Sequence, residues 1–418
     1  MRKHLIYLSL ALMLAGCNVL DQKPHNGILR NEITAEHIPL LFTGLYNYAQ
    51  YKPTENGYLQ GDFCGGDFSA NSATVYASPG LWIKSLIVPT SSYIYGPWNG
   101  YYTCVYQINQ FLELVDEQEP SQEYDQMVGT ARFFRALMYY NLITRWGDVP
   151  IMRKCTDDPV PNSPKADCWA FVEEDLKAAI ENCPDFTSKW YVSKQAAQAL
   201  MARSLLAQGK AADAAVYSEL VINSGFFDLD EFSKIFGGDD NKEEIFSFRN
   251  KNDENGISFS NTFYVASGGY VPTTDVAELF VSSDKRRSVT IKTYEGTTVL
   301  GKYINRGDEY HQLYIVRLAE MYLISAEGLG YAGGGLDRLN ELRNKRGLAS
   351  KNITDDETML KAVMFERRLE LIGEGFRWFD LVRTGKTPAG LEEKYTILPI
   401  PTRELDLNPL LKQNELWK

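Results

Sequence analysis

The stretch ERRLELIGEGFRWFDLVR, residues 366–383, holds an unusual density of charge among apolar side chains. Spacings of three and four residues place Glu366 and Glu370 on one face of a predicted helix, beside residues of a hydrophobic stripe. Gly373 and Gly375 predict the end of that helix, and an aromatic-rich segment follows. Because a partly buried charge is tolerated only when it is paired, we expect ion pairs here. The stretch is therefore predicted to be structural.

Helical periodicity recurs over much of the remaining chain and predicts a mainly α-helical fold. Two pairs of consecutive helices are predicted, 194–208 with 211–223 and 314–329 with 336–346. Small residues in the first pair allow close approach, as in helix-turn-helix repeats of the tetratricopeptide kind. Two or three such pairs are too few for an open superhelix, so we expect one globular body. The other predicted elements are helices at 38–46, 98–115, 124–146, 169–180 and 272–284, strands at 244–248 and 302–303, and an extended tail at 397–414.

Two long stretches, about 51–97 and 250–310, lack this periodicity and are rich in glycine, serine, asparagine and aromatic residues. A long irregular stretch in a folded protein is usually either functional or disordered. The aromatic content argues against disorder. Both stretches are therefore predicted to be ligand-binding insertions in the helical scaffold.

The first residues predict export. Arg2 and Lys3 precede an apolar run, Leu5–Leu14, of about ten residues, which is too short to span a membrane. The sequence Leu-Ala-Gly-Cys that ends at Cys17 is similar to the lipobox of bacterial lipoproteins. We therefore predict a signal peptide at 1–16, lipidation of Cys17 with a tether at 17–31, and a single domain at 32–418. No other run is long and apolar enough to span a membrane.

Charge and cysteine spacing exclude several classes. Lys and Arg number 43 and Asp and Glu 54, a net charge of −11 that argues against nucleic acid as a partner. Neither the cysteines nor the four scattered histidines show zinc-site spacing, and no cofactor or metal site is predicted. Export would permit one or two disulfides, whose pairing the sequence leaves open. The cysteines other than Cys17 are Cys64, Cys104, Cys155, Cys168 and Cys183.

The order and spacing of several blocks resemble the SusD/RagB family, surface lipoproteins that partner TonB-dependent SusC-type transporters. The family commonly has glutamate where Thr130 stands, and residues 416–418 also depart from its usual ending. The resemblance implies a SusD-like fold and a non-enzymatic role at the outer membrane, with capture of oligosaccharides outside the cell and their transfer to a SusC-like barrel. The blocks are 131–136, 147–150, 197–203, 317–327, 339–347, 366–383 and 398–414.

Binding residues are predicted from sugar chemistry. Sugars present apolar faces that stack on aromatic rings, and their hydroxyls pair with Asp, Asn and Arg side chains. Trp98 continues a helical pattern and is assigned to the scaffold, whereas Trp82 is predicted to be a stacking platform whose loss spares the fold. The first predicted wall consists of Trp82, Tyr76, Phe68, Asp67 and Asn71, and the second of Tyr264, Tyr270 and Arg306.

Other functions are weighed against glycan capture. Glu366 and Glu370 lie one helical turn apart and could imitate the carboxylate pair of a retaining glycoside hydrolase, at about 5 Å. Their arginine-rich surroundings favour a charge-paired packed helix instead. A peptide-binding role of the RagB type, or a pure interaction scaffold, stays open because helix pairs alone do not distinguish them.

Overall fold

A computed structural model describes residues 32–238, 240–251, 256–304 and 311–418. The structure is 56% helical, with 17 α-helices and a few short strands in the described ranges, which confirms the predicted fold class. The predicted signal peptide, Cys17, its tether and Arg306 lie outside the described residues.

The helices and strands follow one another along the chain as set out here. The helices are α1 (Ile38–Tyr51), α2 (Thr54–Phe63), α3 (Ser78–Ile83), α4 (Ser92–Asp116), α5 (Gln122–Trp146), α6 (Lys165–Asn182), α7 (Lys194–Ala207), α8 (Ala211–Ile222), α9 (Phe232–Gly237), α10 (Phe259–Phe263), α11 (Thr274–Glu278), α12 (Arg287–Thr290), α13 (Leu318–Leu329), α14 (Gly335–Lys345), α15 (Asp356–Leu371), α16 (Arg377–Arg383) and α17 (Thr402–Leu407). The strands are β1 (Phe68–Ala70), β2 (Glu244–Phe248), β3 (Tyr270–Pro272), β4 (Ile291–Tyr294), β5 (Thr297–Leu300) and β6 (Leu313–Arg317), joined in antiparallel pairs β1–β3, β2–β6 and β4–β5.

Both predicted helix pairs are present and pack on each other. Helix α7 packs on α8, α13 on α14, and α13 also lies against α8. A β-carbon on Gly328 would lie 2.1 Å from the carbonyl oxygen of Ala211, so this crossing depends on a small residue. The predicted start of the second pair is wrong, since residues 313–317 form β6 and pair with β2.

Buried ion pairs hold the 366–383 stretch, as predicted. Glu370 lies 2.8 Å from Arg346, 3.2 Å from Arg317 and 3.1 Å from Arg286, all of them buried. Burial alone would raise the pKa of Glu370, but the three guanidinium groups together lower it below its usual range. The carboxylate therefore stays ionised inside the core.

The same stretch turns sharply between its two helices. Helix α15 ends before Gly373 and Gly375, whose φ angles of +80° and +86° favour glycine. Beyond the turn, Asp380 on α16 lies 2.7 Å from Arg367 on α15. The ion pair ties the two helices together.

Helix α2 corrects the sequence analysis, because it lies inside the stretch 51–97 that was predicted to be irregular. Its buried positions combine Leu59 and Phe63 with two glycines, Gln60 and Asp62, so the hydrophobic pattern is too weak to predict a helix. The Asp62 carboxylate accepts hydrogen bonds from the backbone N–H groups of Gly373 at 3.0 Å and Gly375 at 2.7 Å. Helix α2 is therefore attached to the 366–383 turn by a buried polar contact.

Asp62 gives the fold a pH dependence. Burial raises the pKa of this carboxyl to about 8 in the folded protein, against about 4 in an unfolded chain. The folded state thus holds the proton more tightly, and stability is lost as pH rises from about 4 through about 8. In Asp62→Asn we expect urea unfolding between pH 5 and 9 to show a flatter pH profile than in the unmodified protein, while the exposed control Asp213→Asn keeps the original profile. Identical profiles for the unmodified protein and Asp62→Asn would refute the assignment.

Three further predictions of secondary structure differ from the observed elements. Residues 301–303 form a 3₁₀ turn instead of a strand, with the buried Lys302 ammonium 2.6 Å from Glu374. The helix predicted at 272–284 is limited to α11, and the extended tail contains α17. No helix in the described ranges is long and apolar enough to cross a membrane.

Candidate functional site

The two predicted walls meet in the structure. Strand β1 pairs with β3, with Phe68 opposite Pro272 and Ala70 opposite Tyr270. The hairpin β4–β5 joins them, since the Thr297 hydroxyl donates to the carbonyl of Ala266 at 2.9 Å. We call residues 64–77, 264–273 and 291–300 the loop cluster.

Asn71 holds the loop cluster together. Its side-chain Nδ2 donates to the carbonyl of Ser267 at 3.0 Å, and its side-chain Oδ1 accepts hydrogen bonds from the N–H groups of Ala73 and Thr74. The Thr74 hydroxyl donates to the carbonyl of Gly269 at 2.6 Å. The predicted binder Asn71 is thus engaged in fixing the backbone of both walls.

An aromatic layer supports the loop cluster from below. Phe68 lies 5.6 Å from Phe63 and 5.0 Å from Phe263 between ring centroids, and Tyr270 lies 5.2 Å from Phe63. All four side chains are buried. Phe68 and Tyr270, predicted to face a ligand, are therefore part of the support for the surface.

Asp67 is also turned inward. Its carboxylate lies 2.6 Å from Arg368 and 3.9 Å from Arg377, and the side chain is fully buried. Burial raises the pKa of Asp67, an effect that the Arg368 guanidinium opposes. These contacts anchor the start of β1 to α15 and leave no exposed carboxylate for a sugar hydroxyl.

Trp82 differs most from expectation. It is only 2% exposed, lies in the main hydrophobic core, and its indole N–H has no hydrogen-bond partner among the described residues. A side chain with no exposed face cannot stack on a sugar in this conformation. We therefore now expect the loss of Trp82 to destabilise the fold.

Trp82→Ala is expected to lower the free energy of unfolding by about 3–5 kcal/mol, because it removes a large buried ring and leaves a cavity. Trp82→Phe should cost less, since it keeps most of the ring and removes the unpartnered donor. Urea unfolding of both variants tests this, with the exposed Tyr76→Ala as the control that leaves stability unchanged. A stable Trp82→Ala protein that fails to bind glycan would restore Trp82 as the stacking platform.

The outer face of the loop cluster offers other rings. Tyr76 is 73% exposed, and the Lys84 ammonium lies 5.3 Å from the centre of its ring. Tyr264 and Tyr294 are half-buried and pack with centroids 4.7 Å apart at an angle of 31°. Of the predicted aromatic residues with described side chains, Tyr76 is therefore exposed and Tyr264 is partly exposed.

Tyr294 was missed by the sequence analysis. It ends β4 next to Glu295 and Gly296, both with positive φ, and the turn leads directly into β5. Glycine flanked by short alternating runs is a hairpin signal that could have placed this tyrosine beside the predicted loop.

Other candidate chemistry finds little geometric support. Among the described residues, no group of three or more His, Cys, Asp or Glu side chains could hold a metal ion. No disulfide joins the described cysteines. Glu366 and Glu370 are fully buried and surrounded by arginines, so this pair cannot flank a substrate.

Comparisons with known families agree with the fold and the predicted export. Residues 18–206 match a family described as starch-binding and associating with the outer membrane, and residues 298–397 match the SusD family. Residues 1–18 match a prokaryotic membrane lipoprotein lipid attachment site. These matches define a class of lipid-anchored outer-membrane binding proteins. The chain belongs to the SusD family.

Individual relatives cover most of the chain. SusD-like protein P38 of Formosa agariphila is 26% identical, over 98% of this chain and 97% of its own length. A SusD-like protein of Bacteroides ovatus is 25% identical, over 69% of this chain and 65% of its own length.

Solved structures share the fold. A SusD superfamily protein from Bacteroides thetaiotaomicron is 22% identical and superposes with a TM-score of 0.81, covering 91% of this chain and all of its own. A laminarin-binding SusD-like protein is 23% identical, with a TM-score of 0.79 over 91% of this chain and 99% of its own.

Proposed function

We propose that the protein captures oligosaccharides at the cell surface through the outer face of the loop cluster and passes them to a SusC-like TonB-dependent transporter. The observation that carries this proposal is the exposed ring of Tyr76, together with the half-buried ring pair of Tyr264 and Tyr294, on a cross-linked backbone. Rings held in this way lose little freedom when a ligand binds.

The chemistry of the surface suits a sugar. Exposed tyrosine rings supply apolar faces for stacking and hydroxyls for hydrogen bonds. The loops between them carry the exposed side chains of Ser72 and Ser267, which add small polar groups at the same surface. This combination of stacking and hydrogen bonding is what a polyhydroxylated ring requires.

The comparisons support the same ligand class. One family match is described as starch-binding, and one structural neighbour is a laminarin-binding protein. Both descriptions name glucans, which stack on aromatic side chains without needing a counter-charge. We therefore expect a neutral glucan to be the first ligand to test.

Anchoring and partner complete the proposal. Lipidation of Cys17 would hold the chain on the membrane, and residues 18–31 would tether the body to it. Isolation of the tagged protein from its native outer membrane is expected to bring down a large TonB-dependent barrel. Recovery without any large barrel would contradict the transporter role.

A glycan array with the mature protein tests ligand capture, followed by calorimetry on the best ligand. Tyr76→Ala and Tyr264→Ala are each expected to weaken the affinity about fivefold to tenfold, the loss of about 1 kcal/mol of stacking. Tyr191→Ala is the matched control, because Tyr191 is 60% exposed but lies outside the loop cluster. Equal losses in all three variants, or binding of peptides in place of glycans, would contradict the proposal, and hydrolysis of the array would indicate an enzyme.

A further inference from the structure

One buried arginine lacks the partner that the others have. Every other buried arginine in the described ranges lies within 4.0 Å of a carboxylate, but no described carboxylate lies within that distance of Arg145. Arg145 is 3% exposed, so water does not solvate its charge freely. A buried cation without a counter-ion is costly.

Neighbouring carbonyl groups accept hydrogen bonds from only some of the N–H groups of the Arg145 guanidinium. Its Nη1 group donates to the side-chain oxygen of Asn141 at 2.7 Å, and Nη2 donates to the carbonyl of Gly57. The rings of Phe379 and Tyr101 lie 4.8 Å and 5.7 Å from its central carbon. The buried Nε–H has no hydrogen-bond partner among the described residues. The Nε–H of this charged group is therefore a buried donor without a hydrogen-bond acceptor among the described residues.

A cavity of about 70 Å³ lies beside this group, lined by Arg145 together with tyrosine, phenylalanine and aliphatic side chains. Its other charged lining groups are compensated elsewhere. Arg203 pairs with Glu320 at 2.5 Å, and Glu374 lies 2.6 Å from Lys302. The uncompensated charge at the cavity is thus the positive charge of Arg145.

We propose that this cavity is a binding site for a small monovalent anion such as chloride, held by the Nε–H of Arg145. The volume has room for a few species of the size of a water molecule, at about 10–15 Å³ each, and is far below the 300 Å³ or more of organic ligand pockets. The largely apolar lining favours a weakly hydrated ion with few hydrogen-bonding sites. The site is separate from the loop cluster and does not depend on glycan binding.

Thermal unfolding of the mature protein tests the site. Sodium chloride is expected to raise the unfolding temperature by about 2 °C, saturably, relative to sodium gluconate at equal ionic strength. Arg145→Met should abolish this difference. Arg153→Met should retain it, because the Arg153 side chain is 58% exposed and pairs at the surface with Glu174. Equal unfolding temperatures in the two salts would overturn the proposal.

Crystals of the unmodified protein grown in sodium bromide give an independent test in case Arg145→Met does not fold. An anomalous bromide peak within hydrogen-bonding reach of the Arg145 Nε–H, together with the chloride effect in solution, supports the site. A cavity that holds only water overturns the proposal. A bromide peak without a chloride effect means binding at crystal concentration only and also overturns it.

Discussion

Glu370→Ala is expected to destabilise the protein by about 5 kcal/mol, the upper end of the range for breaking a buried ion pair. The substitution would leave Arg286, Arg317 and Arg346 close together in the core without the carboxylate that all three contact. Their mutual repulsion and the loss of hydrogen bonds act in the same direction. Urea unfolding, with folding yield as a second measurement, checks the result.

Glu357→Ala is the matched control on the same helix. Glu357 forms a surface pair with Lys361 and its side chain is 80% exposed, so its loss is expected to leave the unfolding midpoint unchanged. Glu370→Gln should lie close to Glu370→Ala, because the isosteric amide restores shape without restoring charge. Similar stabilities for the Glu357 and Glu370 variants would show that the buried network does not determine stability.

Gly61→Ala is expected to cost about 3 kcal/mol or more. A β-carbon at Gly61 would lie 2.0 Å from the carbonyl oxygen of Gly375, which belongs to the backbone and cannot rotate away. Helix α2 would have to move off the turn that Asp62 holds, and overpacking of this kind is typically worth 1–3 kcal/mol. A shift of the urea midpoint measures the loss.

Gly44→Ala separates this clash from the general effect of adding a methyl group. Gly44 lies in α1 and a β-carbon there meets nothing within 4 Å. The variant is expected to gain about 0.5–1 kcal/mol, because alanine favours the helix over glycine. Destabilisation of both variants to the same extent would contradict the argument for a specific contact.

The sequence predicts the scaffold well because the scaffold follows rules that act locally. Helix α7 is capped by Ser193, both α7 and α8 carry small residues at the expected spacing, and they form as predicted. The charges of the 366–383 stretch also predicted ion pairs correctly, since a buried charge has few other options. The partners Arg286 and Arg317 could not be derived, because they come from distant parts of the chain.

In the irregular stretches 51–97 and 250–310, local sequence patterns do not predict the structure. Helix α2 buries glycine, glutamine and aspartate beside Leu59 and Phe63, so its hydrophobic periodicity is too weak to predict the helix from sequence. Trp82 was placed on a binding surface because its stretch lacked a helical pattern, yet it is buried in the short helix α3. An irregular pattern indicates neither exposure nor burial. The hydrogen bond from Asn71 to Ser267 shows that the stretches 51–97 and 250–310 meet, while ligand binding there stays a prediction.

The pairing of β1 with β3 also determines when, during folding, the loop cluster can form. Asn71 and Ser267 are 196 residues apart in the chain, so their contact closes a very long loop. The entropy of closing such a loop opposes the contact until other interactions offset it. An exported chain would therefore be able to form the loop cluster only after residues 264–300 have been delivered and have docked against β1.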